Sequence, residues 1–150
     1  MSRGYRFAVI TMSDKGSRGE RVDTSGEALK ELLIRHGYEM CHYEIVADQI
    51  EAIVNSVILA VEQKYADLVL TTGGTGVAPT DRTPEAMEQV FDKEVPGIAE
   101  AMRAASFAIT PRAALSRGRA GIRKNSLIIN LPGSRKAAME NISQRLLAND

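Results

Sequence analysis

ADLVLTTGGTG, residues 66–76, runs from a nearly unbroken apolar stretch into two threonines and a glycine cluster. A strand with one wet face would alternate polar and apolar side chains, so this run predicts a parallel strand covered on both faces. Gly73, Gly74 and Gly76 permit backbone angles and close approaches that a Cβ would block, and consecutive amides can then turn toward an anion. Thr71, Thr72 and Thr75 can add hydroxyl donors. Two readings fit: a grip on phosphate or another anionic ligand, and a tight structural turn. The pattern is neither the dinucleotide fingerprint G-x-G-x-x-G nor a P-loop ending in G-K-[ST].

Outward from that segment, strands and helices alternate. Residues 6–11 and 40–46 read as strands, the first ending in polar Ser13 and Asp14. Between them, Ala28, Leu29, Leu32 and Leu33 recur at helical spacing, with Asp23, Thr24 or Ser25 as cap and Gly37 as stop. Ile50, Ile53, Val54, Val57, Ile58 and Val61 mark the apolar face of a second helix, with Asp48 in the N-cap place. Downstream of the glycines, Thr83 as N-cap and Pro84 at the first helical position predict a third helix, with Glu85 adding favourable charge to its first turn. A fourth spans residues 98–108, between Pro96 and Pro111. Residues 120–123 and 126–131 form two short strands joined through Lys124 and Asn125. Ser134 then caps a last helix carrying Ala138, Met139, Ile142, Leu146 and Leu147. The expected architecture is an α/β fold of three layers, αβα, whose central sheet is mostly parallel with a short antiparallel portion. Ligands in such folds bind outside the C-terminal ends of the strands.

The 150 residues, 44% of them hydrophobic, can fill one core, so a single domain over residues 1–150 is expected. Nineteen basic residues cancel nineteen acidic ones, which leaves no long-range field for nucleic acid or an anionic membrane. No stretch approaches the roughly twenty apolar residues of a membrane span. With no secretory leader visible at the N-terminus, a cytoplasmic location is expected. Cys41 reads as a small packing residue, and His36 and His42 form no triad with serine and carboxylate.

Asp81 follows the glycines closely. It either helps to hold Mg²⁺ beside a phosphate or caps or neighbours the helix announced by Thr83 and Pro84. Asp48 admits the same two readings. Ser13 and Asp14, at the same rim, could recognise a ligand or belong to a solvent loop. Asn130, Pro132 and Gly133, in NLPGS, repeat the order of strand end, glycine and helix start. Arg117, Arg119, Arg123 and Lys124 cluster in LSRGRAGIRK, facing a phosphate, solvent or another subunit.

In order and spacing, SD, DTSG, TTGGTG, the following D-x-TPEA and NLPG resemble the molybdopterin-binding family of molybdenum cofactor synthesis, in particular its adenylyltransferases, over nearly the whole chain. The resemblance implies transfer of AMP from ATP to the terminal phosphate of molybdopterin, with Mg²⁺ and release of pyrophosphate. Asp48 and Asp81 occupy the family's two functional acidic positions, implied to be catalytic and to position the metal. Thr72, Gly73, Gly74, Thr75 and Gly76 match its phosphate and pterin loop, and Ser13 and Asp14 its nucleotide-side loop. Asn130, Pro132 and Gly133 match NLPG, and Ser116 with Arg117 an SR segment approaching the pocket. The resemblance also implies a homotrimer or larger oligomer and a molybdenum-insertion protein as partner, and it serves molybdenum and tungsten supply alike. In one departure, Thr80 stands where many members carry arginine before the aspartate, and Arg82 follows Asp81 instead. Alternatives are a noncatalytic molybdopterin-binding or scaffold protein and a related nucleotide-metabolising enzyme.

Overall fold

The computed structural model describes residues 4–142. Six strands form one sheet: β1 (Arg6–Met12), β2 (Glu39–Val46), β3 (Leu68–Thr72), β4 (Lys93–Glu94), β5 (Ala120–Arg123) and β6 (Ser126–Leu131). Their order is β2-β1-β3-β6-β5-β4. The pairs β1 with β2, β1 with β3 and β3 with β6 are parallel, whereas β5 runs antiparallel to both β6 and β4. The expected mostly parallel sheet with a short antiparallel portion is what the chain forms.

Side-chain alternation along the strands builds the layers. Ala8, Ile10 and Met12 of β1, Val69 of β3 and Ile128 of β6 pack with α3 (Ile50–Glu62) and α4 (Thr83–Met87). Phe7, Val9, Leu70, Ile129 and Leu131 face the other way, against α2 (Thr24–Arg35), α5 (Pro96–Phe107) and α6 (Arg135–Ile142). Leu70 is wholly buried at the centre of the sheet. Leu70→Ala is expected to cost about 3 kcal/mol, read as a lower urea midpoint with unchanged slope.

Several local details differ from the sequence reading. α5 begins at Pro96 itself, because the first turn needs no donor there and tolerates the ring. β4 is two charged residues long, and α1 (Asp14–Ser17) is a single turn, so neither carries a readable period. A 3-10 turn follows at Pro111–Leu115. The final helix is described only to Ile142, so Leu146 and Leu147 lie outside the described residues. Ser134 Oγ does accept from Ala137 N, at 3.3 Å. Cys41 donates to Phe7 O, and burial pushes its thiol up, which suits a packing role. Among the described residues no helix is long and apolar enough to cross a membrane.

Candidate functional site

The chain leaves β1 toward β2 on one side and reaches β3 on the other, so the loops after β1 and β3 diverge at a topological switch point. A cavity of about 490 Å³ opens there. Its wall includes Ser13 and Asp14 after β1, Asp48 after β2, Thr72, Gly73, Gly74 and Asp81 around β3, and Gly133 after β6.

Backbone and hydroxyl contacts hold this rim. Ser13 N donates to Val46 O at 2.8 Å, and Ser13 Oγ caps α1 by accepting from Gly16 N at 3.0 Å. Asp48 N donates to Asp14 Oδ1 at 2.9 Å, joining the first two loops. Gly73 has φ +100, and a Cβ there would lie 2.7 Å from Met12 O. Only glycine fits such a left-handed, crowded position. Thr83 Oγ1 donates to Gly73 O at 2.9 Å, and Thr83 N to Gly74 O at 3.1 Å. Thr72 Oγ1 donates to Pro132 O at 2.6 Å, and a Cβ on Gly133 would stand 3.3 Å from Gly73 Cα. The turns after β3 and β6 therefore lock against each other.

The two aspartates do not cap helices. Gln49, not Asp48, stands at the N-cap of α3, and Asp48 Oδ1 instead lies 3.4 Å from where a Cβ on Gly74 would be. Arg82 occupies the N-cap of α4, which has no side-chain cap bond. Thr83, expected as that cap, begins the helix and turns its hydroxyl onto the glycine loop. Asp81 Oδ2 accepts from Ala78 N at 3.0 Å, within its own loop. Burial pushes the Asp48 carboxyl above the ordinary carboxylate range. The charges of Asp14 and Asp81 push the same way, against the Asp14 backbone N–H and Arg82. Arg82 Nη1 donates to Asp48 O at 2.8 Å, so it brings positive charge beside Asp48 although Thr80 supplies none.

The remaining predicted positions lie behind the cavity wall. Arg117 N donates to Thr75 O at 2.8 Å, its Nε to Gly76 O at 2.7 Å and an Nη to Asp81 O at 3.0 Å, while Glu85 receives its other side. It shapes the loop from outside. Thr75 is buried, and a Cβ on Gly76 would come 2.8 Å from Asp81 Oδ2. Asn130 pins strands: its Nδ2 donates to Thr71 Oγ1 and its Oδ1 accepts from Arg119 N. Ser116 Oγ accepts from Gly118 N at 3.4 Å and does not line the cavity. Of the other basic residues in that segment, Arg119 pairs with Glu88 and Glu94, and Arg123 and Lys124 share Glu62. The cluster is thus internally neutralised.

Residues absent from the sequence prediction also line the cavity, among them Thr11, Lys15, Arg21, Asp23 and Ser25. The DTSG segment, read for a helix cap, was the signal for Asp23 and Ser25, whereas no motif marked Thr11, Lys15 or Arg21.

The Arg117 guanidinium holds Glu85 below the ordinary carboxylate range. A carboxyl lowered on folding contributes stability above its ordinary value and loses it as pH falls through the lowered one. Glu85→Gln is therefore expected to flatten part of the fall in Tm as pH drops from about 5 toward 3. Thermal melts of both proteins across that range check this.

Comparison with known proteins places these features in a lineage. A family described as "Probable molybdopterin binding domain" matches residues 8–148. Two Helicobacter pylori proteins named molybdopterin adenylyltransferase are each 47% identical over 136 residues, spanning 89% of this chain and 77% of theirs. The crystal structure of the molybdopterin biosynthesis enzyme MoaB from Thermus thermophilus superposes with a TM-score of 0.85 at 49% identity, covering 92% of this chain and 87% of that one. The tungsten cofactor synthesizing protein MoaB from Pyrococcus furiosus gives a TM-score of 0.85 at 35% identity, with 99% and 96% covered. Matched along nearly its whole length by sequence and by fold, the chain belongs to the molybdopterin-binding family of molybdenum cofactor biosynthesis.

Proposed function

We propose that the protein is a molybdopterin adenylyltransferase. The observation that carries this reading is the glycine loop after β3, folded at the switch point with Asp48 and Asp81 on the same cavity wall. In the reaction a terminal phosphate oxygen of molybdopterin attacks the α-phosphorus of ATP. The bond from that phosphorus to the bridging oxygen breaks, and pyrophosphate leaves with the electron pair.

The nucleophile is already anionic, so no serine or cysteine has to be activated. The chain must instead bring two polyanions together and hold them in line. In the loop of residues 73–76 the Gly73 N–H is taken by Leu131 O, and the Gly74 amide on the cavity wall is suited to donate to a phosphate oxygen, while Lys15 and Arg21 supply positive charge to the wall. Mg²⁺ characteristically uses one or two carboxylates and completes its shell with water and substrate phosphates. Among the described residues no three His, Cys, Asp or Glu side chains form a ready-made cage, while Asp48 and Asp81 both line the cavity and the charge of Asp81 disfavours ionisation of Asp48. That donor set fits an ion shared with the substrates, held by Asp48 and Asp81, where it would offset the phosphate charge. Ser13 and Asp14 would contact the nucleotide side.

The same reading makes residues 1–150 one functional domain, cytoplasmic because it draws on ATP. It forms a homotrimer and hands its product to a molybdenum-insertion protein. Phe107, Ile109 and Leu115, exposed in and after α5, offer apolar surface for the contact between copies. The test is anaerobic incubation with molybdopterin, ATP and Mg²⁺, with adenylylated molybdopterin and pyrophosphate quantified together. Equal formation of both, lost without Mg²⁺, is expected. Tight molybdopterin binding without either product would assign a noncatalytic binding role.

A further inference from the structure

Four aspartates line the cavity, and Asp23 differs from the rest. Its Oδ1 accepts from Gly26 N at 2.9 Å, capping α2, while its Oδ2 accepts from Thr11 Oγ1 at 2.7 Å and from Tyr43 Oη at 2.5 Å. Three donors occupy this carboxylate, so it has little to offer a ligand. Burial, and then the bond to Asp23, push the Tyr43 phenol well above its ordinary value, and it remains a donor. Tyr43 lies on β2, outside the cavity wall, with Lys30 Nζ 4.4 Å from its ring centroid. A Cβ on Gly26 would overlap the Asp23 carboxylate and come within 2.8 Å of Thr11 Oγ1, so the arrangement requires glycine there.

The next contacts lead to the glycine loop. Ser25, in the same helical turn, donates to Gly133 O at 2.6 Å, and Gly133 abuts Gly73. Bonded and packed contacts therefore run from β2 through Asp23 and the first turn of α2 to the first glycine of the candidate phosphate loop. We propose that Tyr43 is a positioning residue for that loop: its hydroxyl fixes Asp23 and α2, and through Ser25 and Gly133 it fixes Gly73, without touching substrate. Only the kinetic part of its test rests on the adenylyltransferase reading.

Tyr43→Phe keeps the ring and removes the hydroxyl. In the ligand-free protein, exchange of the Gly73 amide, which donates to Leu131 O, is expected to accelerate about tenfold, while exchange at Leu70 and the melting temperature stay near wild type. In the transfer assay, kcat is expected to fall roughly five- to tenfold with KM for ATP within about twofold, because a displaced loop spoils alignment more than binding. Ser25→Ala should give a similar loss, and Tyr43→Phe with Ser25→Ala no more than the larger single loss, since both cut one chain of contacts. Unchanged exchange at Gly73, acceleration spread equally to Leu70, or losses that multiply in the double variant would overturn the proposal. If the wild-type protein makes no product, the functional reading fails, and the exchange measurement still decides the role of Tyr43.

Discussion

Asp48→Asn is expected to lower adenylyl transfer by about a hundredfold or more while raising the melting temperature of the ligand-free protein at neutral pH. Burial and the charges of Asp14 and Asp81 all disfavour the ionised form of Asp48 in the folded chain. A carboxyl raised on folding contributes stability that is fully present below its ordinary value and lost as pH rises through the elevated one. At neutral pH the wild type has therefore given up that stability, and the neutral amide restores it. The difference between variant and wild type should shrink as pH falls below the ordinary carboxylate range, where both side chains are uncharged. Product formation together with melts from about pH 3 to 8 check both halves. A variant less stable than wild type at pH 7 would mean that the carboxylate serves the fold.

Gly73→Ala is expected to destabilise the protein by about 2–4 kcal/mol, and to remove transfer at temperatures where it still folds. Alanine at φ +100 is strained, and its methyl carbon would meet Met12 O at 2.7 Å, a backbone atom held in the central sheet by β1. Relief would require β1 and β3 to separate at the cavity mouth. Gly97 provides the contrast. It lies in the first turn of α5, where an added Cβ would meet nothing within 4 Å, and Gly97→Ala is expected to be neutral or stabilising by roughly 0.5–1 kcal/mol. Urea unfolding of the two variants separates crowding from a general intolerance of glycine replacement.

Much of this fold was legible because its signals are local and periodic. The apolar run of β3 and the repeating face of α3 each state their own burial. TTGGTG announced unusual backbone, and two of its glycines do take positive φ. The caps were less legible, since an aspartate or threonine just ahead of a helix has the same appearance whether its oxygen turns back to the helix or across to another loop. Asp48 and Thr83 turned across. Tyr43 was invisible for a different reason: its partner Asp23 is 20 positions away, and no short spacing records a bond between a strand and the cap of an earlier helix. The basic residues left three readings open because their carboxylate partners, Glu62, Glu85, Glu88 and Glu94, come from distant segments.

The shortness of β4 bears on how copies of this chain can meet. Lys93 and Glu94 are both exposed, and they end the sheet on a side where a longer apolar strand would present a row of free amides and carbonyls. Two charged residues give an incoming strand almost no ladder to extend and a desolvation cost for trying. Growth of the sheet from one molecule into the next is blocked at that margin, and the eight-residue β2 at the opposite end is left as the edge with a ladder to offer.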